Sequence, residues 1–496
     1  MISETLRRAR TFEEENLPAV PAQVLPAFHV TGIRGWINDP NGFSLYKGEY
    51  HLFFQYHPYS NQWGPMHWGH VKSKDMIRWE RLPAALAPDA DYDRDGCFSG
   101  SAIELPDGRH LLLYTGVRKD QLADGTESEY QTQCVAIGDG INYEKYAGNP
   151  VIRSDAVPEG GSTRDFRDPK IWRQDGRYYA VVGDRCSDGS GAILLYESED
   201  ALRWRYDGTI ASSRNRYGRM WECPDLFPLD GKHVLLVSPQ EMLGQGLEFL
   251  PGNETLCQIG TYDPVSHQLT EESIQAIDYG LDFYATQTLQ TADGRRVMIA
   301  WMQYWGSIGC CRADLPFFGQ MILPRELGVR HGRLIQNPIR ELEAYRGKRT
   351  AYQNVDIDGI RELSDIGGRC LDLTVTVRPR EGEALYQAFR LDVARDETHV
   401  TSILYRPAAG TVLVDRSRSE LPAESAGNTR EFSVRDRNGE IKLRLLLDRY
   451  SLELFVNDGE QAASFTLYTH QSADGIRFWS DGAVQVDVEQ YLLDFS

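Results

Sequence analysis

Short apolar runs, each led by a polar turn ending in glycine, recur along the first two thirds of the chain. Lys47-Gly48 leads into EYHLFFQY, Asp107-Gly108 into RHLLLYTG, Asp175-Gly176 into RYYAVVGD, Asp230-Gly231 into KHVLLVSP and Asp293-Gly294 into RRVMIAWM. Gly48, Gly108, Gly176, Gly231 and Gly294 are spaced by 60, 68, 55 and 63 residues. Glycine after a polar residue supplies the positive φ of a tight hairpin turn. A further short run precedes each turn: GFSLY, SAIEL, KIW, DLFPL and TQTLQ. A second element keeps the same register: Asp75-Met-Ile-Arg-Trp79 resembles Asp139-Gly-Ile-Asn-Tyr143 and Asp200-Ala-Leu-Arg-Trp204. Its aromatic is placed to pin an outer strand to its neighbour. Five units of several short strands predict a β-propeller, whose radial closure protects the sheet edges. A β-helix would need shorter repeats, and a (β/α)8 barrel would need long amphipathic helices that the pattern lacks.

The repeat stops near LPRELGVRHGRLIQNPIRELEAYR. Beyond it, CLDLTVTV, SILYRP, GTVLVDR, IKLRLLLDR, YSLELFVNDG, ASFTLYT and VQVDVEQY alternate apolar and polar residues, with turns such as Asn457-Asp458-Gly459. This pattern predicts an antiparallel sandwich. The expected fold is all-β: an N-terminal extension (1–26), a five-bladed propeller (27–336), a linker (337–348) and a C-terminal β-sandwich (349–496). The sandwich region shows no carboxylate or histidine constellation, so its expected role is structural.

Composition narrows the function. A chain of 496 residues with 41% hydrophobic and 25% charged residues builds its core without disulfides or metals. A net charge of −19 argues against nucleic acid or an anionic membrane as partner. It does not exclude a phosphosugar held by a local basic cluster. The eight cysteines (97, 134, 186, 223, 257, 310, 311 and 370) are scattered without metal-ligand spacing. The charged N-terminus lacks the apolar core of a signal peptide, and no run of 18 apolar residues occurs. The expected location is the reducing cytoplasm, with free thiols, where the Asn253-Glu254-Thr255 sequon carries no meaning.

The inner strand of a blade lines the central channel, so the residues ahead of each turn are natural site candidates. They read Trp36-Ile37-Asn38-Asp39-Pro40-Asn41-Gly42, Phe98-Ser99-Gly100-Ser101-Ala102, Phe166-Arg167-Asp168-Pro169, Trp221-Glu222-Cys223-Pro224-Asp225 and Asp282-Phe283-Tyr284-Ala285. Asp39, Ser99, Asp168, Glu222 and Asp282 are spaced by 60, 69, 54 and 60 residues. One polar or acidic residue per blade would then converge on an axial pocket. A lone Asp before Pro is ordinarily a turn residue. Three carboxylates in phase with the repeat are a different signal.

These motifs resemble glycoside hydrolase family 32, the invertase and fructosidase family. WINDPNG, FSGSA, FRDP, WECPD and DFYA stand in the family's order, and the resemblance covers nearly the whole chain. It implies a five-bladed propeller with a C-terminal β-sandwich. It also implies Asp39 as nucleophile, Glu222 as acid/base and Asp168 as transition-state stabiliser, in a retaining hydrolysis of β-fructofuranosyl bonds. Such a reaction passes through an oxocarbenium-like state at C2, so it needs a carboxylate on one face and a proton donor on the leaving-group side. Asp39 must be ionised and Glu222 must carry a proton. Asn38 and local backbone N–H groups would favour the charged form of Asp39. Asp168 can accept hydrogen bonds from two sugar hydroxyls, which strengthen as charge develops.

By the same resemblance Asn38, Gln55, Trp63, Phe98, Ser99, Arg167 and Asp282 are expected to touch the sugar, and Tyr284 and Trp305 to lie on the leaving-group side. Cys223 is expected to shape the pocket rather than react. His67 and His70 are spaced i, i+3 without a third ligand, so neither a metal nor a cofactor is expected. The expected partner is a small saccharide, sucrose or a short fructo-oligosaccharide. Hydrolysis of sucrose 6-phosphate and transfructosylation stay open. An inverting arabinanase-type propeller would lack WINDPNG, and a non-catalytic sugar-binding protein would be marked by loss of a carboxylate. The sequence leaves the oligomeric state open.

Overall fold

The computed structural model describes residues 2–308, 312, 314–420, 427–435 and 437–495; Cys310 and Cys311 lie outside the described residues. Five sheets radiate from one axis and a ten-stranded sheet follows them. Their inner strands are Gly35–Tyr46, Gly96–Glu104, Phe166–Gln174, Met220–Leu229 and Tyr284–Gln290. Four strands form each blade, and the first gains a fifth, Phe317–Phe318, parallel to its inner strand. The polar–glycine turns join the first two strands of each blade. In blades one, three and four both turn residues have positive φ (Lys47 and Gly48, Asp175 and Gly176, Asp230 and Gly231). That conformation matches the twist of antiparallel strands.

The second repeated element sits in the turn between third and fourth strands. Asp75 Oδ1 accepts from the N–H groups of Ile77 and Arg78, and Asp200 Oδ1 from those of Leu202 and Arg203. The Trp79 and Trp204 indoles each donate to the residue three places back, Met76 and Ala201, at 3.1 Å. Asp139 holds Ile141 and Asn142 in the same way in blade two.

Polar side chains stitch the inner strands into a closed ring. The Gly100 N–H donates to Asn41, and Ser101 donates to Pro169 O while accepting from Ile171. Lys170 pairs with Asp225 at 3.0 Å, and Asp225 accepts from Thr288 N–H. Gln287 accepts from Phe43 N–H and donates to Gly100 O. These hydrogen bonds and the Lys170–Asp225 pair cross-link neighbouring inner strands, which keeps the strand ends at fixed positions.

The C-terminal strands form one continuous antiparallel sheet folded into a sandwich-like unit. Its longest strand, Gly475–Leu493, pairs with Arg346–Arg361, Leu371–Pro379 and Ala388–Arg395. Between the propeller and this sheet the chain forms a single short helical turn, Arg340–Tyr345, after a last propeller strand that runs to Pro338. Apolar packing crosses the seam: Leu446, Phe455 and Ala462 of the sheet cluster with Phe227, Phe283 and Ile299 of the propeller. The N-terminal helix Glu4–Asn16, capped by Ser3, buries Leu6 and Ala9 against Ala84 and Ala87 of blade one. Among the described residues no helix is long and apolar enough to cross a membrane.

Candidate active site

Every inner strand carries a register shift where it emerges at one end of the channel. The shifts fall between Ile37 and Pro40, Phe98 and Gly100, Arg167 and Lys170, Glu222 and Asp225, and Tyr284 and Gln287. A bulge bends the strand and re-aims a side chain that regular pleating would send elsewhere. Asp168, Cys223 and Ala285 occupy these bulges with φ of 65°, 49° and 56°. Left-handed backbone at non-glycine residues persists where the surrounding structure enforces it, and functional sites are where it gathers.

The bulges bring Asp39, Asp168 and Glu222 together. Asp39 Oδ2 accepts from Ser99 Oγ at 2.7 Å and Oδ1 from Asn38 Nδ2 at 3.0 Å. Asp168 Oδ2 accepts from the Cys223 N–H at 3.0 Å, and its own N–H donates to Thr115. The Cys223 sulfur lies 3.7 Å from Asp39 Oδ2 and 3.6 Å from Asp168 Oδ2, so both carboxylates face one sulfur. Glu222 Oε1 accepts from Arg167 Nε at 2.9 Å, while Oε2 lies 2.8 Å from Gln240 Nε2 and 2.5 Å from the Tyr284 hydroxyl. Asp39 and Glu222 keep partial exposure to the pocket; Asp168 and Arg167 are buried.

The Arg167 guanidinium pairs with Glu222 and Asp165 and lies in the field of Asp168. Burial, then the neighbouring Glu222, pushes the Asp39 carboxyl up, against the pull of Ser99 and Asn38. Burial and Glu222 also raise Asp168, which Arg167 partly offsets. Burial alone would lower Arg167, but Glu222, Asp168 and Asp165 hold it firmly charged. Burial and the flanking carboxylates keep Cys223 a neutral thiol. A cluster with more carboxylates than cations retains a proton at higher pH than separate carboxylates would.

An apolar wall stands beside the charges. Trp36, Met66, Tyr284, Trp301 and Phe318 are buried together, with Phe98, Tyr304 and Trp305 packed against them. Trp305 stacks on Trp36 at 6.2 Å, and the Trp36 indole donates to Asn38 at 2.7 Å. Trp63 meets Phe98 edge-on and is 44% exposed, an indole face open to the pocket mouth. Exposed aromatic faces of this kind suit the apolar faces of sugar rings. Gln55 is buried and donates to Cys97 O at 3.0 Å, bracing the strand that presents Phe98 and Ser99.

Asp282 is a correction. The spacing of the blades predicted it beside the other acids, but it is fully buried and turned to the C-terminal sheet. There its Oδ2 pairs with Arg416 and accepts from Thr466 N–H at 2.8 Å. It sits two residues before Tyr284, ahead of the blade-five bulge, so its side chain never reaches the channel mouth. His67 and His70 point into different surroundings: His67 contacts Pro65 O, and His70 bonds His51 and stacks on Phe53 at 3.9 Å.

Gln240, Ser238 and Asn253 were not singled out from sequence, yet all three hold the Glu222–Tyr284 pair. A signal existed for Gln240, which ends the second strand of blade four as Gln55 nears the end of its counterpart in blade one. The Asn253 amide of the sequon donates to the Tyr284 hydroxyl at 3.3 Å.

The glycosyl hydrolases family 32 N-terminal domain matches residues 29–338, and the family's C-terminal domain matches residues 341–491. The chain belongs to glycosyl hydrolase family 32. Among relatives of this family-32 chain, the raffinose invertase of Escherichia coli is 37% identical over 446 residues, 89% of each chain. A sucrose-6-phosphate hydrolase of Zymomonas mobilis is 34% identical, covering 89% of this chain and 86% of its own. Of solved structures, the GH32 β-fructofuranosidase of Bombyx mori, in a mutant complexed with sucrose, superposes with a TM-score of 0.84 at 33% identity over 98% of both chains. The family-32 chain is therefore a glycoside hydrolase of the β-fructofuranosidase type, and the five-bladed propeller with its sandwich-like sheet is the family's architecture.

Proposed function

We propose that this enzyme hydrolyses terminal non-reducing β-D-fructofuranosyl bonds of sucrose and short fructo-oligosaccharides with retention, through a fructosyl intermediate on Asp39. The observation that carries the proposal is the convergence of Asp39, Asp168 and Glu222, from three different blades, on one pocket beside Arg167. An Asp39 oxygen bonds to C2 of the fructosyl unit as the bond from C2 to the leaving oxygen breaks. The Glu222 proton passes to that oxygen. Water then attacks C2, Glu222 takes the water's proton, and the Asp39–C2 bond breaks. Asp168 accepts hydrogen bonds from fructosyl hydroxyls and gains strength as positive charge develops at C2. Arg167 orients Glu222 from one side, and Gln240 and Tyr284 fix its other oxygen.

A second reading, in which the leaving sugar carries a 6-phosphate, draws on a pair of cations next in sequence to a Glu222 contact. Glu241, next to Gln240, pairs with Arg185 at 3.0 Å and lies 3.8 Å from Arg219, so two cations share one carboxylate. In this proposal the enzyme works in the cytoplasm, a compartment that the six described free cysteines suit and that favours small imported substrates. Initial rates of fructose release from sucrose, sucrose 6-phosphate, 1-kestose and inulin test the proposal. Release from sucrose or 1-kestose at the highest kcat/KM supports the first reading. A preference for sucrose 6-phosphate that Arg185→Ala abolishes supports the second. No release from any of the four contradicts both.

A further inference from the structure

We propose that the C-terminal sheet positions the acid/base: Arg416, with Thr466 and Tyr468, clamps two blade-five segments that carry Tyr284 and Trp305 into the pocket. This rests on the assignment of Glu222 as acid/base.

The first segment is Asp282-Phe283-Tyr284. Asp282 is fully buried, and Arg416 on the strand Thr411–Arg418 pairs with its Oδ2. Thr466, at the end of Gln461–Thr466, donates to the same oxygen through N–H at 2.8 Å and Oγ1 at 2.9 Å. Arg416 Nη1 donates on to Thr466 O at 2.9 Å, so the guanidinium, the threonine and Asp282 Oδ2 are bonded to one another. The backbone N–H groups of Leu281 and Asp282 both donate to Ser464 O at 3.1 Å. Two residues further on, the Tyr284 hydroxyl lies 2.5 Å from Glu222 Oε2 and 3.0 Å from Ser238 O. The hydroxyl has two acceptors, Glu222 Oε2 and Ser238 O, and so ties the acid/base carboxyl to the backbone of the neighbouring strand. The next residue, Ala285, holds a φ of 56°. Left-handed backbone at alanine is strained, and it falls in the same inner-strand bulge that Asp168 and Cys223 occupy in their blades.

The second segment is Gln303-Tyr304-Trp305. Tyr468 OH accepts from Gln303 Nε2 at 3.2 Å, and Gln303 Oε1 accepts from Ser307 Oγ at 2.6 Å. Ser307 Oγ accepts from Tyr304 N–H and so closes the short turn that carries Trp305. Trp305 stacks on Trp36, whose indole holds Asn38 beside Asp39. The first line runs through Arg416 and ends on Glu222; the second runs through Tyr468 and ends beside Asp39, so the Arg416 variants test the first.

The test compares kcat/KM on sucrose with kcat/KM on p-nitrophenyl β-D-fructofuranoside, whose leaving group departs without a proton. The variants are Glu222→Gln, Tyr284→Phe, Arg416→Met and Arg416→Lys, each checked for folding by thermal unfolding. General acid catalysis contributes about 10²–10⁴-fold, so Glu222→Gln is expected to lose on that scale with sucrose and far less with the aryl fructoside. Tyr284→Phe and both Arg416 variants are expected to lose about tenfold or more on sucrose and under about threefold on the aryl substrate. A merely structural role would lower both substrates alike. Should Arg416→Met fail to fold, Arg416→Lys, which keeps a cation against Asp282, decides. Equal losses on both substrates in the Arg416 variants, or no loss, while Glu222→Gln shows the split, would overturn the inference alone. Equal losses in Glu222→Gln itself would overturn the acid/base assignment instead.

Discussion

Two clusters of buried charge lie in this molecule, and they are built from the same side chains to opposite ends. At the channel mouth Asp39 and Asp168 meet at the Cys223 sulfur, Arg167 pairs with Glu222 and Asp165, and Asp39 and Glu222 keep access to the pocket. At the seam between propeller and C-terminal sheet, Asp278, Asp448 and Glu453 share two cations, Arg325 and His29, and all five side chains are fully buried. In the seam each carboxylate is saturated with donors. Asp448 also accepts from the N–H groups of Ala27 and Phe28, and Arg325 reaches Asp278, Glu453, Gln336 and Ser464. Burial would raise all three; the cationic partners hold Asp448 and Glu453 below the ordinary carboxylate range, while Asp278 stays above it because burial outweighs Arg325. At the mouth burial and like charge win, and Asp39 and Asp168 rise. The ratio of cations to carboxylates, with the supply of donors, separates a cluster that locks two domains from one that holds and moves a proton.

Four predictions would break or sharpen this contrast. Asp39→Ala is expected to lose about 10⁴-fold or more in turnover on every fructoside, the scale for removing a covalent nucleophile. Its unfolding temperature should stay level or rise, because a carboxylate leaves a crowded site. A large fall in stability would mean that the mouth is a structural cluster after all. Arg325→Met should do the reverse. It strands Asp278 and Glu453 and is expected to cost about 3–5 kcal/mol in urea unfolding, with normal KM in the protein that remains folded.

His29 gives the seam a pH signature. Burial opposes its charge, but Asp448 and Glu453 raise it from 6.5 to about 9. Its charged form binds more tightly in the folded protein, so its contribution is complete below pH 6.5 and is lost as pH climbs to about 9. That contribution is about 3 kcal/mol, and His29→Gln should flatten the loss of urea resistance over this range. A wild type with level stability across the range would contradict the charged His29.

The smallest effect concerns the mouth. Asp39 is raised in part by Glu222. Neutralising Glu222 as Gln should therefore move the acid limb of kcat/KM on an aryl fructoside to lower pH. A limb that stays in place would show the two carboxylates to be uncoupled.

Much of this was legible in the chain. The polar–glycine turns and the Asp75, Asp139 and Asp200 turns marked the blades, because both depend on local backbone chemistry. The three carboxylates stood out because they were in phase with those turns. Asp282 was in phase as well, yet it lies behind the seam. Spacing gives a residue's place in a blade to within a few positions, whereas the bulge decides which neighbour faces the channel, and in blade five that point falls at Tyr284 and Ala285. The polar strand Arg346–Arg361 showed no apolar alternation because much of it is exposed. The seam was invisible because His29, Asp278, Arg325, Asp448 and Glu453 are far apart in sequence and belong to no motif.

The most direct measurement is mass spectrometry of Glu222→Gln quenched during reaction with p-nitrophenyl β-D-fructofuranoside. Loading proceeds without an acid in that variant, while hydrolysis of the intermediate lacks its base. The account predicts a peptide containing Asp39 that carries the added mass of one fructosyl unit. A fructosyl adduct on Asp168, or steady turnover of the aryl fructoside with no adduct on any carboxylate, would contradict it.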